Sequence, residues 1–79
     1  MAEADPKPGM YEHYKGGKYV LLHIGRLSEA REVRMAVYLS CTNGEIWIRP
    51  LSMFQEFVRV DERGLIPRFK YIPSLYDAT

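Results

Sequence analysis

Residues 33–41 alternate without a slip. Val33, Met35, Val37, Leu39 and Cys41 are apolar, and Arg34, Ala36, Tyr38 and Ser40 fall between them. A repeat of two belongs to a pleated strand, whose side chains point to opposite faces in turn. Val33 and Val37 are also β-branched, which favours extended backbone. A helix over residues 28–38 is the competing reading, and it fails on both counts. Thr42-Asn43-Gly44 follows as a hairpin turn, since Asn-Gly tolerates the positive φ angles of a type I′ turn. Residues 45–49 form the returning strand. Ile46 and Ile48 lie on one side of it, and Glu45, Trp47 and Arg49 on the other. Pro50 ends that strand, because proline cannot donate to a ladder.

The pattern continues on both sides of this hairpin as short extended runs separated by turn signals. Residues 10–14 are rich in aromatics, and Lys15-Gly16-Gly17-Lys18 signals a hairpin. Residues 19–27 form the next run. Val20, Leu22 and Ile24 share one face, and Tyr19, Leu21 and His23 the other. Residues 28–32 are polar and break the pattern. Residues 51–56 fit one helical turn with Ser52 as its N-cap. Residues 57–60 resume a strand, and Asp61-Glu62-Arg63-Gly64 turns the chain. Residues 65–72 are extended but interrupted by Pro67, which belongs at an edge or a bulge. No helical span reaches the ten or so residues that a βαβ crossover needs. The prediction is a mainly β chain: a small SH3-like barrel or roll of five to six short strands with one short helical turn. Residues 9–72 form a single domain, with a flexible N-terminus over 1–8 and a flexible C-terminal tail over 73–79.

Composition decides whether so short a chain has a core. A small domain buries a smaller share of its surface than a large one. With 47% hydrophobic and 13% aromatic residues, this chain has the apolar area that disordered segments lack. Charge is nearly balanced, 11 Lys and Arg against 10 Asp and Glu, so the basic excess of a general nucleic-acid binder is missing. The one cysteine, Cys41, excludes an intrachain disulfide and a cysteine-based zinc site. At the end of an apolar run, it reads as a buried small hydrophobe. With no signal peptide in view and no run long enough to span a bilayer, the expected location is cytoplasmic.

No catalytic constellation is visible. A nucleophilic site would have to bring Ser28 or Cys41 to one of the two histidines, His13 or His23, through tertiary contact. Histidines ten residues apart and scattered carboxylates make no metal-ligand spacing. Gly16-Gly17 lacks the lysine–serine pair and the helix of a phosphate loop. Neither a metal nor a cofactor is expected. The strongest functional cluster is Arg26, Glu29, Trp47, Arg49 and Arg68. If Ile46 and Ile48 face the core, Trp47 and Arg49 face a groove or solvent. Arginine beside an aromatic ring suits recognition of an anion, a carboxylate or a π-face. The plainer alternative is that these arginines pair with Glu29, Glu45 or Glu56 and cover Trp47 as structure. Tyr11, Tyr14, Tyr19 and Tyr38 are candidates for a stacking surface. Their plainer role is to bury the rings and leave the hydroxyls at the rim. Met53 and Phe54 read as plugs closing one end of the core.

A longer pattern runs through these residues. It comprises Gly9-x-Tyr11-x-His13-Tyr14-Lys15-Gly16, Tyr19, Arg26-x-Ser28-Glu29, Val37-Tyr38, Trp47-Ile48-Arg49-Pro50-x-x-Met53-Phe54 and Pro67-Arg68-Phe69. It resembles the DUF1653 family of short bacterial proteins of unknown function, from about Gly9 to about Phe69. The segment beginning at Trp47 is its most specific piece. The resemblance implies a small SH3-like barrel or roll and implies no activity. Family members often carry His-Ser-Glu-Thr after the arginine matching Arg26. Here that stretch is Leu27-Ser28-Glu29-Ala30, so if that loop supplied acid–base chemistry through its histidine, this chain would lack it. The expected function is therefore a non-enzymatic binding or adaptor module. Its partner would be a protein segment or a small anionic ligand, met by Arg26, Glu29, Tyr38, Trp47, Arg49 and Arg68. Single-stranded nucleic acid, most plausibly RNA, through the same face is one alternative. A small enzyme using Ser28, Glu29 and His13 is the other.

Overall fold

The computed structural model describes residues 5–73. Seven strands and one helical turn follow in order: β1 (Gly9–His13), β2 (Lys18–Leu27), β3 (Ala30–Ser40), β4 (Ile46–Pro50), α1 (Leu51–Phe54), β5 (Phe57–Val60), β6 (Gly64–Pro67) and β7 (Phe69–Tyr71). A 3₁₀ turn, Asp61–Arg63, joins β5 to β6. The fold is mainly β, as the alternation requires. The strands are more numerous than the five to six expected. They make a five-stranded sheet, ordered β4-β3-β2-β1-β7, and a separate two-stranded sheet, β5-β6. Among the described residues neither sheet closes into a barrel, because β4 and β7 are opposite edges. The chain ends expected to be flexible lie outside the described residues over 1–4 and 74–79. Residues 5–8 are tied down in part: Asp5 receives two bonds from the Arg34 guanidinium, at 2.7 and 2.8 Å. The Lys7 carbonyl accepts from the Tyr11 hydroxyl at 2.7 Å.

Local chemistry explains most of the connections. Gly16 and Gly17 hold φ of 101° and 88°, so the β1–β2 turn uses the two residues that enter that region without strain. The β2–β3 connection is tighter than a polar break over 28–32. Leu27 pairs with Ala30, leaving Ser28 and Glu29 as the whole turn. The β3–β4 turn is not type I′. Only Gly44 has a positive φ, and the loop spans residues 41–44, closed by the Ser40 N–H donating to the Glu45 carbonyl at 2.8 Å. Helix α1 is capped by Pro50 and not by Ser52, with no side-chain bond at the cap. Proline supplies a fixed φ directly ahead of the turn.

Residues paired across adjacent strands share a face, and the pairings assign two faces to the five-stranded sheet. Leu21, Tyr38 and Trp47 form one row on the inner face, and Ile24, Ala36 and Arg49 the next. On the outer face, Met10, Val20, Leu39 and Ile46 form a row, and Val37 stands opposite Ile48. A bulge at Leu22 shifts the β2 register. It moves His23 to the outer face and lets Ile24 pack on the core beside Tyr19 and Leu21. The core lies on the inner face, built from Tyr11, Leu21, Ala36, Tyr38, Leu51, Phe54 and Phe69. Phe54 stacks on Phe69 with ring centroids 4.3 Å apart. The more aliphatic side of β3 is therefore the outer one. Ala36 and Tyr38 are buried because α1 folds back across the inner face and brings Leu51 and Phe54 onto it. Ile46 and Ile48 do not face the core: they are 53% and 64% exposed. Of the two expected plugs, Phe54 is buried and Met53 is exposed. Cys41 is exposed at the start of the β3–β4 loop, with its sulfur 3.9 Å from that of Met10. Among the described residues no helix is long and apolar enough to cross a membrane.

Candidate functional site

Beyond the core, the inner face opens into a hollow of about 170 Å³ lined by His13, Tyr19, Tyr38, Trp47, Arg49 and Phe69. Each wall has a structural reason. β1 ends at His13, which pairs with Phe69 on β7. Tyr38 pairs with Trp47 across β3 and β4. Tyr19, Tyr38 and Phe69 then meet edge to face, with centroids 5.4 to 5.6 Å apart. His13 sets its ring edge-on to Phe69 at 4.9 Å. Such contacts make the walls stiff, because each ring is fixed by two others.

The polar groups of the hollow favour one sign of charge. The Arg49 Nε donates to the Tyr38 hydroxyl at 3.2 Å, which fixes the plane of the guanidinium. No carboxylate lines the hollow, and among the described residues none pairs with Arg49. The His13 Nδ1 accepts the Lys15 backbone N–H at 3.1 Å, so the ring proton sits on Nε2. Burial pushes the His13 pKa below its ordinary 6.5, and the charges of Arg68, Arg49 and Lys15 push it further down. The lining thus holds a permanent cation and a neutral imidazole within an aromatic wall. A guanidinium and a neutral imidazole within aromatic walls have the chemistry to hold an acid group on a flat or apolar body.

Of the residues singled out in the sequence, the fold brings together Tyr38, Trp47 and Arg49. It does not bring in Arg26, Glu29 or Arg68. Arg26 lies at the far end of the β2–β3 hairpin and donates to the Arg31 carbonyl at 2.9 Å. Glu29 forms the turn there, with the Ser28 hydroxyl 3.4 Å from its carboxylate. Arg68 takes the plainer role. It holds the Glu56 carboxylate at 2.9 and 3.2 Å and lies 5.9 Å from the Tyr14 ring centre. Ser28 and His13 adjoin opposite ends of β2, a strand about 30 Å long, so no acid–base pair joins them. The tyrosines divide as well: Tyr19 and Tyr38 line the hollow, while Tyr11 is buried toward Lys7. The sequence reading passed over Phe69 as a wall and gave His13 no place beside Arg49. The pairing of β1 with β7 creates both positions, and no local pattern announces a contact of that separation. Among the described residues, no group of three or more His, Cys, Asp or Glu could hold a metal ion.

The sequence profile of DUF1653, described as a protein of unknown function, matches residues 9–71. Among solved structures, the chain is similar to the crystal structure of a DUF1653 protein from Bordetella bronchiseptica. The two are 32% identical with a TM-score of 0.76, over 86% of this chain and 88% of that one. No curated protein matches the chain.

Proposed function

This chain belongs to the DUF1653 family, and from the inner-face hollow we propose that it is a non-enzymatic binding module for an acid group. That group would be carried by a small anionic ligand or by a protein segment. The observation that carries the reading is Arg49, whose guanidinium is oriented by Tyr38 among aromatic walls and pairs with no described carboxylate. Arg34 and Arg68 each pair with a carboxylate, that of Asp5 and that of Glu56. Arg49 instead directs its charge at a space that an anion would fill. The five-stranded sheet and the β5–β6 hairpin suit an open SH3-like roll, a shape that offers aromatic side chains to extended segments. A single free cysteine suits a reducing cytoplasm.

Titration of ¹⁵N-labelled protein with carboxylates, then with peptides ending in a free carboxylate, tests this. The expected shifts centre on the Trp47 indole, the Arg49 Nε and His13. A hydrogen bond to a charged group contributes about 1.5–3 kcal/mol, so Arg49→Ala should weaken binding roughly ten- to hundredfold. Arg49→Lys should lose most of the same affinity, because lysine keeps the charge but not the fork. Binding left unchanged by both Trp47→Ala and Arg49→Ala would reject the site.

A further inference from the structure

Strand β4 is an edge of the five-stranded sheet, paired with β3 on one side and with no described strand on the other. Three successive large apolar residues on it are open to solvent: Ile46 at 53%, Trp47 at 48% and Ile48 at 64%. Edge strands are normally blunted by lysine, by a bulge or by a covering element. In β4 the charge and the proline, Arg49 and Pro50, come only at its end, and its register with β3 is regular throughout. The ladder also fixes which of its backbone groups are free. Ser40 bonds to Glu45, and Tyr38 and Ala36 stand opposite Trp47 and Arg49. Hydrogen-bonded pairs alternate along an antiparallel ladder. Glu45, Trp47 and Arg49 therefore direct their backbone groups to β3, and Ile46 and Ile48 direct theirs outward. Pro50, the next residue in the outward set, has no N–H and ends the usable edge.

We propose that this edge docks a second copy of the same chain, antiparallel, about a two-fold axis through Trp47. Residues 45–49 read Glu-Ile-Trp-Ile-Arg and are self-complementary when reversed. About that axis Ile46 faces the partner's Ile48, and Ile48 faces the partner's Ile46. Outward groups meet outward groups, which gives four N–H···O bonds. Glu45 faces the partner's Arg49, and Arg49 faces the partner's Glu45, so an opposite-charge pair closes each end. A slip of one residue sets free groups against groups already bonded to β3. A slip of two sets Trp47 against a charged residue and leaves Glu45 and Arg49 unmatched. The acid is accessible, since Glu45 is exposed and its carboxylate accepts only the Asn43 amide, at 3.4 Å. On the outer face, the row Met10, Val20, Leu39 and Ile46 continues across the axis into the partner's Ile48 and Val37. The two sheets become one, which is the closed arrangement expected of an isologous dimer. This inference rests on the edge of β4 and shares Trp47 and Arg49 with the hollow, so Ile48→Lys, which leaves both in place, separates loss of the dimer from loss of ligand binding.

Sedimentation equilibrium over a concentration series, combined with amide hydrogen exchange, tests it. The expected result is a doubling of mass as concentration rises. In parallel, the Ile46 and Ile48 amides should gain protection, while those of Trp47 and Arg49 are protected at every concentration. Ile48→Lys should abolish the dimer. Its exposure leaves the monomer fold intact, which far-UV circular dichroism would verify. Glu45→Arg should weaken the dimer, and Glu45→Arg combined with Arg49→Glu should restore it. Three results would overturn the proposal: a monomer mass up to the concentration of an NMR sample, protection gained away from β4, or an Ile48→Lys protein that still dimerises.

Discussion

The two faces of the five-stranded sheet are built from different materials. The inner face is made largely of rings: Tyr11, Tyr19, Tyr38, Phe69 and Tyr71, with Phe54 laid over them from α1. Toward β3 and β4 the outer face is made of aliphatic side chains, among them Val20, Leu39, Ile46 and Ile48, and toward β7 it carries the charged row Lys18, Glu12 and Lys70. Along β3 and β4 the outer face is the more apolar. Yet full burial occurs on the inner one, at Leu21, Ala36 and Phe54. Burial follows the covering element and not the hydropathy of the surface beneath it. A single four-residue helical turn, anchored by Leu51 and Phe54, decides which face becomes the core. Rings suit that task because one aromatic side chain brings 150–250 Å² of buried area or so, and edge-to-face contacts add to it.

The largest effect should come from removing the cover. Phe54 and Phe57 are the same residue type three positions apart. One is 1% exposed and the other 61%. Phe54→Ala should cost about 3–5 kcal/mol, since it deletes a buried ring stacked on Phe69 and leaves a cavity. In a domain this small, that is a large part of the total stability, and partial unfolding at room temperature is expected. Phe57→Ala should stay within roughly 0.5 kcal/mol. Urea unfolding of the two variants measures both. Equal losses would mean that α1 is not what separates the faces.

This pair also shows how far the sequence carries. The hairpins were legible, because Gly16-Gly17 and Asn43-Gly44 punctuate runs whose period is two. The pairing of β3 with β4 follows from a short loop, and so does the shared face of Trp47 and Arg49. The choice of core face was not legible. The alternation at residues 33–41 gives two faces without naming the buried one, and the more apolar face is the wrong guess. The bulge at Leu22 was equally hidden, since an inserted residue leaves the local composition unchanged. Arg68 had two readings in the sequence, a ligand contact or a pair with an acid such as Glu56, and only the fold chooses between them. Its neighbours Pro67 and Phe69 are visible in the chain, but its partner Glu56 comes from the loop before β5.

A smaller effect should separate the ring wall from the charge it holds. Tyr38 contributes both a buried ring and the hydroxyl that accepts from Arg49. Tyr38→Phe keeps the ring contacts with Tyr19, Phe54 and Phe69 and removes only the acceptor. The expected stability loss is about 0.5–1.5 kcal/mol. Anion binding should weaken without being abolished, because Arg49 remains but is no longer held in one plane. If Tyr38→Phe weakens carboxylate binding as much as Arg49→Ala does, orientation and not charge is the main contribution of the pair. If binding is unaffected, the Tyr38 bond belongs to the fold alone.

The smallest effect is confined to a pH window and tests whether the inner rim is as cation-rich as its residues imply. His13 has its folded pKa lowered below 6.5, chiefly by burial and then by Arg68, Arg49 and Lys15. In the unfolded chain it titrates near its ordinary value of about 6.5. As pH falls through that value, the unfolded chain takes up a proton that the folded chain resists. The contribution is therefore fully present above 6.5 and is lost as pH falls through the depressed folded value. Asp5 acts in a separate, more acidic range, because hydrogen bonds from Arg34 hold its carboxyl below 3.8. His13→Gln should flatten the stability profile just below pH 6.5 and leave the acid limb in place. An anion in the hollow should act in the opposite sense. By offsetting the positive field it raises the His13 pKa, so its own binding tightens as pH falls toward that value. Proton NMR titration of His13, with and without a bound carboxylate, reads both signs in one experiment. A His13 that titrates at 6.5 or above in the free protein would remove the electropositive rim from the comparison.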